Sequence, residues 1–88
     1  MEELNKKKLR QDMSTQEKVM QVVAEVCEVA VSEVTLNSAI GDFPAWDSMG
    51  QLAILQRVES EFDIQFEPED MMEIEDVNDI VKAVEAKL

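Results

Sequence analysis

Asp47 and Ser48 are the residues best suited to chemistry, because they stand where the pattern predicts the start of a helix. A serine acts as a nucleophile only beside a general base and an oxyanion site. The sequence has no histidine, and no motif links Lys18 or Lys82 to Ser48, so we predict no catalytic residue. Asp47 fits the helix-cap position by itself, which leaves the Ser48 hydroxyl available. A hydroxyl at a helix N-terminus suits attachment of a phosphate group by another enzyme, because the helix dipole and free amides stabilise the added negative charge.

The apolar residues recur with helical period in three stretches, which predicts an all-α fold. We expect a small up-and-down helical bundle of three main helices and one short helix, with a long first loop. The expected helix starts share a capping residue or a first-turn proline: Ser14, Asp47, Pro68 and Asp76. The central helix is expected to end near Phe62. We expect residues 1–13 to form an N-terminal tail or extension and residues 14–88 to form the helical domain.

The long first loop covers residues 31–46 and leads directly into the Asp47-Ser48 pair. Four of its apolar residues are expected to hold it against the core: Val34, Leu36, Ile40 and Phe43. Trp46 is interpreted as a further anchor of the loop. Met71 and Met72 are interpreted as core filler around the short helix, and Cys27 as a small buried residue.

Acidic residues outnumber basic ones by 20 to 8, which gives a net charge of −12 at pH 7. This charge repels phosphates and anionic membranes, so we expect neither nucleic acid binding nor membrane insertion. It attracts basic protein patches, although it could also serve only to keep a small protein soluble. The single cysteine excludes an internal disulfide, and no apolar run reaches membrane-spanning length. These features favour a cytoplasmic location.

A metal site is not expected either. The sequence has no histidine, and the acidic residues between 67 and 79 lack the alternating oxygen ligands and the glycine of an EF-hand.

The central helix presents two apolar sectors on a helical wheel, where a surface helix of a bundle needs only one. The first sector is the expected core stripe: Ile54, Leu55, Val58 and Phe62. The second lies beside Ser48 and consists of Met49, Leu52 and Ala53, with Gln56 alongside. This second sector is a candidate contact surface for another molecule. Alternatively, the long loop folds over it and covers it.

Residues 14–88 resemble the acyl carrier protein family. The attachment motif of that family is Asp-Ser-Leu, and this sequence has Asp47-Ser48-Met49 in the corresponding place, at the start of the second helix after a long loop. The stretch SEFDIQFEPED, residues 60–70, resembles the segment that closes helix two and leads to the short third helix. The stretch EDVNDIVKAVEAKL resembles the final helix.

The resemblance implies a monomeric carrier that is not itself an enzyme. A phosphopantetheinyl transferase would attach a phosphopantetheine arm from coenzyme A to Ser48, and the arm would hold acyl groups as thioesters. Acyl-loading and acyl-processing enzymes with basic docking patches would then bind helix two. Met49 and Leu52 would be apolar contacts on this helix. The acidic contacts would be Asp47, Glu59 and, in the preceding loop, Asp42.

The sequence departs from the common fatty-acid pattern around the motif. Gly50 and Ala53 occupy places where that pattern usually has acids, and Trp46 precedes the motif. Gly50 either weakens the helix, as glycine does in a helix interior, or lets a partner approach closely. The combination Trp-Asp-Ser-Met-Gly looks more like the specialised carriers of secondary-metabolite or surface-polysaccharide gene sets. Two alternatives stay open at this point: an unmodified acidic helical adaptor that binds a basic partner through helix two, and a degenerate carrier that is never loaded.

Overall fold

The computed structural model describes residues 14–88, which contain four α-helices and no strand. The helices are α1 (Thr15–Cys27), α2 (Ser48–Phe62), α3 (Pro68–Glu73) and α4 (Val77–Lys87), and a short 3-10 helix spans Val31–Glu33. The predicted all-α fold, with three main helices, one short helix and a long first loop, is confirmed. The predicted tail, residues 1–13, lies outside the described residues. None of the described helices has the length and apolar character needed to span a bilayer.

The helices begin at the residues that local chemistry favours. At α1 the Ser14 hydroxyl accepts a hydrogen bond from the Glu17 amide at 3.1 Å, and the Glu17 carboxylate accepts one from the Ser14 amide at 3.0 Å. This reciprocal pair is the predicted capping box. At α4 the carboxylate of Asp76 accepts a hydrogen bond from the Asp79 amide at 2.8 Å. Each cap satisfies an amide that has no partner within its own helix.

Helix α1 packs against both α2 and α4 around one core. Its direction relative to α2 follows from two contacts. Near the start of α1, the Lys18 ammonium lies 5.7 Å from the ring centroid of Phe62, the last residue of α2. Further along α1, Glu25 forms an ion pair with Arg57, which is earlier in α2. The two helices are therefore antiparallel, as an up-and-down bundle requires.

Buried aliphatic side chains from the three long helices form most of the core. They are Val19, Val22 and Val23 of α1, Ile54, Leu55 and Val58 of α2, and Val77, Ile80, Val81 and Val84 of α4. Full burial of each such side chain contributes about 1.5–3 kcal/mol, so this packing offsets the low helix propensity of valine. The predicted core stripe of α2 is confirmed for its first three residues, while Phe62 is only half-buried at the helix end.

Two residues expected in the core are exposed instead. Ile40 is 45% exposed, because it follows a backbone bridge at Ala39 and precedes the turn at Gly41, which directs it away from the bundle. Met72 is 82% exposed on the short helix α3. Adjacent residues of a helix point about 100° apart, so Met71 packs partly against the core and Met72 faces solvent.

The first loop is fastened to the start of α4 through its backbone. The amide of Val77 donates a hydrogen bond to the Ser38 carbonyl at 2.9 Å, and the amide of Asn78 donates one to the Leu36 carbonyl at 3.0 Å. An antiparallel bridge joins Ala39 to Asp76 beside these bonds. The first amides of α4 therefore find partners in the loop rather than in water.

An ion pair fastens α3 to the last turn of α4. The Asp70 carboxylate accepts a hydrogen bond from the Glu67 amide at 2.9 Å and lies 3.0 Å from the Lys87 ammonium. These two interactions hold the pKa of Asp70 below its usual value, and the backbone hydrogen bond from Glu67 has the larger effect. The contribution of this carboxylate to stability is therefore present at neutral pH and is lost as the pH falls through its lowered pKa.

Glu28 ends α1 in a left-handed conformation, with φ of 58°, and its amide donates to the carbonyl of Ala24. A side chain in this conformation is strained by about 1–2 kcal/mol, and glycine is not. We expect Glu28→Gly to stabilise the protein by about 0.5–1 kcal/mol after the greater flexibility of unfolded glycine is included. In thermal unfolding, each kcal/mol corresponds to about 4–8 °C in Tm for a domain of this size.

The control for this change is Glu28→Ala, which removes the same negative charge but keeps the Cβ atom. Relief of charge repulsion would stabilise both variants equally, whereas relief of backbone strain stabilises only the glycine variant. Equal Tm values for the two variants would contradict the prediction.

Candidate modification site

Ser48 is the first residue of α2, and its side chain is exposed to solvent. Asp47 is the N-cap, and its carboxylate accepts a hydrogen bond from the Gly50 amide at 2.8 Å. The predicted cap and helix start are thus confirmed. Because Asp47 performs the capping, the Ser48 oxygen stands at the positive end of the helix dipole without being required for the helix to begin.

Trp46 fixes the end of the loop immediately before this pair. Its side chain is fully buried, so its predicted role as a loop anchor is confirmed. The indole stacks on Phe43 with 6.5 Å between ring centroids, and the Trp46 amide donates to the Phe43 carbonyl at 2.9 Å. The Trp46 carbonyl in turn accepts from the Gly41 amide at 2.8 Å. The backbone that leads to Ser48 is therefore held both by hydrogen bonds and by an aromatic ring in the core.

Gly50 has a role within the chain that differs from our interpretation of it as a close-approach point for a partner. The residue is buried, and a Cβ atom built on it would lie 2.0 Å from the Ala45 carbonyl oxygen. The first turn of α2 thus packs directly against the backbone of its own loop. Only glycine leaves room for this contact.

The second apolar sector of α2 is open to solvent. Met49 is 78% and Leu52 is 53% exposed, Gln56 is also exposed, and Ala53 is partly buried. The alternative, in which the loop folds over these side chains, is wrong because the loop instead bonds to the start of α4. We call Met49, Leu52, Ala53 and Gln56 the α2 surface. Its exposure is compatible with docking, and docking itself stays a prediction.

Comparisons with known proteins agree with this geometry. Residues 17–84 match the family model described as "Phosphopantetheine attachment site". An acyl carrier protein of Streptococcus pneumoniae (strain TIGR4) is 37% identical over 73 residues, which cover 83% of this chain and 95% of that protein. The chain belongs to the acyl carrier protein family. A family member from Exiguobacterium sp. is 34% identical over 70 residues, covering 80% of this chain and 89% of that one.

The fold of the chain itself is also found among solved structures. A structure from Mycobacterium tuberculosis, provisionally described as an acyl carrier protein, superposes with a TM-score of 0.74 at 22% identity. The similarity covers 83% of this chain and 97% of that chain. This likeness supports the bundle architecture.

Two of the acidic residues expected to contact partner proteins accept hydrogen bonds within the chain itself. The Asp42 carboxylate accepts a hydrogen bond from the Ala39 amide at 2.9 Å and so stabilises the loop. The Glu59 carboxylate accepts one from the Phe66 amide at 2.7 Å and so fastens the link after α2. Asp42 is exposed and Glu59 is partly buried. Each therefore has a structural task that the sequence pattern did not predict.

Gln51 is a residue of this region that the sequence pattern did not single out. It is partly buried, and its side-chain oxygen accepts a hydrogen bond from the Trp46 indole nitrogen at 2.7 Å. A buried tryptophan usually finds an acceptor for its N–H group. Gln51 is the first side-chain amide of α2 and follows Trp46 by five residues, a spacing that could have indicated this partner.

Cys27 is buried at the end of α1, as predicted. Burial raises the pKa of its thiol, because a thiolate is poorly solvated there. A raised pKa makes the thiol a poor nucleophile. Cys27 is therefore a structural residue of the bundle and does not belong to the site at Ser48.

Proposed function

We propose that this member of the acyl carrier protein family carries a phosphopantetheine arm on Ser48 and delivers acyl groups to partner enzymes. The observation that carries the proposal is the exposed Ser48 at the first position of α2, beside a cap supplied by another residue. A phosphate ester fits this position, because a helix N-terminus stabilises negative charge. When bound, the arm supplies a thiol that holds an acyl group as a thioester.

The chain supplies the acceptor oxygen, and a phosphopantetheinyl transferase supplies the catalysis. The Ser48 oxygen forms the new ester bond to phosphorus as the pyrophosphate bond of coenzyme A breaks. Adenosine 3′,5′-bisphosphate is the leaving group, and the serine proton leaves to a base outside this chain. Any metal ion that assists this transfer belongs to the transferase. Asp47 holds the first turn of α2 in place through its bond to Gly50. The chain is therefore the substrate of this reaction.

Docking of partners would use the α2 surface together with the charge around it. Residues 14–88 contain 17 acidic and four basic side chains, which favours partners that present basic patches. Asp47, Glu59 and Asp42 are the acidic groups proposed to face such patches. Long-range attraction mainly speeds the encounter, whereas the apolar contacts of Met49 and Leu52 decide the fit.

The test is the intact mass of the protein after incubation with coenzyme A and a broad-specificity phosphopantetheinyl transferase. A carrier gains one phosphopantetheine, and fragmentation of the loaded protein places it on Ser48. No change in mass, with a reference carrier loaded by the same enzyme, would overturn the proposal and favour the unmodified adaptor or the degenerate carrier.

We expect Leu52→Asp to weaken docking far more than it weakens the fold. The side chain is 53% exposed, so free energy of unfolding should change by no more than about 0.5 kcal/mol. Truncation of a hot-spot residue costs about 2 kcal/mol or more, so we expect kcat/KM for loading to fall at least about tenfold. Loading kinetics and urea unfolding measure the two effects.

The matched control for this prediction is Met72→Asp, which makes the same apolar-to-acid change at an exposed residue of α3, outside the α2 surface. It should be loaded at close to the wild-type rate. Unfolding of Leu52→Asp, or equal losses in both variants, would contradict the proposed docking role of Leu52.

A further inference from the structure

The side-chain amide of Gln51 connects two segments that are far apart in the sequence. Its oxygen accepts a hydrogen bond from the indole nitrogen of Trp46 at 2.7 Å. Its nitrogen donates a longer hydrogen bond to the carbonyl of Ile74 at 3.4 Å. Trp46 belongs to the loop before α2, and Ile74 is the residue that follows α3. One amide therefore links the loop that leads to Ser48 with the segment between α3 and α4.

The Trp46 end of this link controls the backbone next to Ser48. The indole is fully buried, and only Asp47 separates Trp46 from Ser48. A buried N–H group without an acceptor is costly, so loss of the Gln51 oxygen favours movement of the indole toward water. Movement of the ring would shift the backbone that holds Asp47 and Ser48.

Gln51, at the other end of the link, lies in the part of α2 that supports Ser48. Gln51 lies one turn after Ser48 on α2, and both bonds of its amide are made on the partly buried side of the helix. Residues three apart in a helix are neighbours on its surface. The amide is therefore inside the structure that supports Ser48, and it does not belong to the α2 surface.

We propose that Gln51 is a positioning residue that holds Trp46, and through it Asp47 and Ser48, in a fixed orientation relative to the segment between α3 and α4. For the reaction at Ser48 this inference rests on the proposed function. A serine held in one orientation meets the transferase active site more often in a productive geometry. Loss of the amide should lower kcat for loading and change KM little, because the α2 surface remains.

The experiment compares wild type with Gln51→Leu, which removes both hydrogen bonds, and Gln51→Glu, which keeps an acceptor for the indole but no donor for Ile74. The first readout needs no transferase. Trp46 is the only tryptophan, so acrylamide quenching of its fluorescence reports its burial directly. We expect stronger quenching in Gln51→Leu and quenching closer to wild type in Gln51→Glu.

The second readout is the kinetics of loading with coenzyme A and a transferase. We expect kcat for Gln51→Leu to fall about tenfold, because misplacement of a reacting group by about 1 Å can cost about a hundredfold and a smaller shift costs less. Val26→Ala is the control for lost stability, because Val26 is a half-buried residue of α1 that lies outside this link. It should leave both quenching and kcat at their wild-type values.

The outcomes separate the two proposals. Wild-type quenching and wild-type kcat in Gln51→Leu would overturn the positioning role while the carrier function stands. Slow loading with unchanged quenching would also overturn it, because Gln51 would then act by touching the transferase. Stronger quenching in a chain that no transferase loads would support the positioning role and remove the proposed function.

A measurement on the unchanged protein covers the case in which Gln51→Leu does not fold. In wild type, the indole N–H proton of Trp46 should exchange slowly with solvent by NMR, because it is buried and bonded to Gln51. Exchange at the rate of a free indole would overturn the inference.

Discussion

Replacement of Ser48 by alanine is expected to abolish attachment of phosphopantetheine while leaving the fold unchanged. The exposed hydroxyl is the only group removed, and Asp47 continues to cap α2. Alanine is also well tolerated in a helix. The loading reaction followed by intact mass should give no modified protein, and thermal unfolding should give a Tm within a few degrees of wild type.

Ser60 supplies the matched control for this prediction. It is another exposed serine of α2, far from the first turn, and Ser60→Ala should be loaded like wild type. Attachment to the Ser48→Ala variant would show that a different residue receives the arm. Loss of attachment in both variants would show that the assay reports damage to α2 rather than the identity of the acceptor.

Gly50→Ala is expected to be among the most destabilising single changes in the chain, although it adds only one carbon atom. The new Cβ would lie 2.0 Å from the Ala45 carbonyl oxygen and 3.1 Å from the Ala45 carbonyl carbon. Both are backbone atoms, so no side chain can rotate to relieve the overlap, and the loop or the first turn of α2 must move. Overpacking of this kind costs typically 1–3 kcal/mol, and we expect the upper end, about 3 kcal/mol.

Thermal unfolding would detect this loss as a Tm lowered by more than about 10 °C, at about 4–8 °C per kcal/mol for a domain of this size. Gln56→Ala, a change to alanine at an exposed position of the same helix, should leave the Tm almost unchanged. A Tm for Gly50→Ala equal to that of the control would contradict this packing. It would mean that the Ala45 carbonyl oxygen lies further from Gly50 than its distance of 2.0 Å to a Cβ built there implies.

The two unusual residues around the motif, Trp46 and Gly50, belong to one packing arrangement. Trp46 places its ring in the core and bonds to Gln51, which draws the preceding loop onto the first turn of α2. Gly50 leaves the space that the Ala45 carbonyl then occupies. Their joint presence therefore has a structural reason. The specialised pathway that this combination suggested, in secondary metabolism or surface-polysaccharide synthesis, stays a prediction.

Helix starts and the two sectors of α2 could be predicted because they depend on local chemistry and on helical period. Asp47 caps the first turn of α2 by accepting a hydrogen bond from the amide of Gly50, three residues later, and no distant contact is needed to recognise this. The exposure of Leu52 agrees with helical period, because at about 100° per residue it lies about 160° from the buried Ile54 on the wheel. Both features are properties of one continuous segment.

The features that the sequence did not predict depend on contacts between segments. Ile40 and Met72 are apolar, but their direction is set by the bridge at Ala39 and by the orientation of a six-residue helix. The reason for Gly50 is a carbonyl group in the loop, and the partner of Glu59 is the backbone of Phe66. No periodic pattern encodes such contacts, because they exist only after the loop and the helices have packed.

The carbonyls of Leu36 and Ser38 that accept bonds from the start of α4 have a consequence for how the molecule opens. If the loop lifted away alone, the amides of Val77 and Asn78 would lose their partners and α4 would fray from its first turn. Detachment of the loop and unwinding of that turn are therefore one cooperative event with a shared free-energy cost. The connection between α1 and α2, residues 28–47, would otherwise be an easy target for proteases, and it is thereby protected by the stability of the last helix.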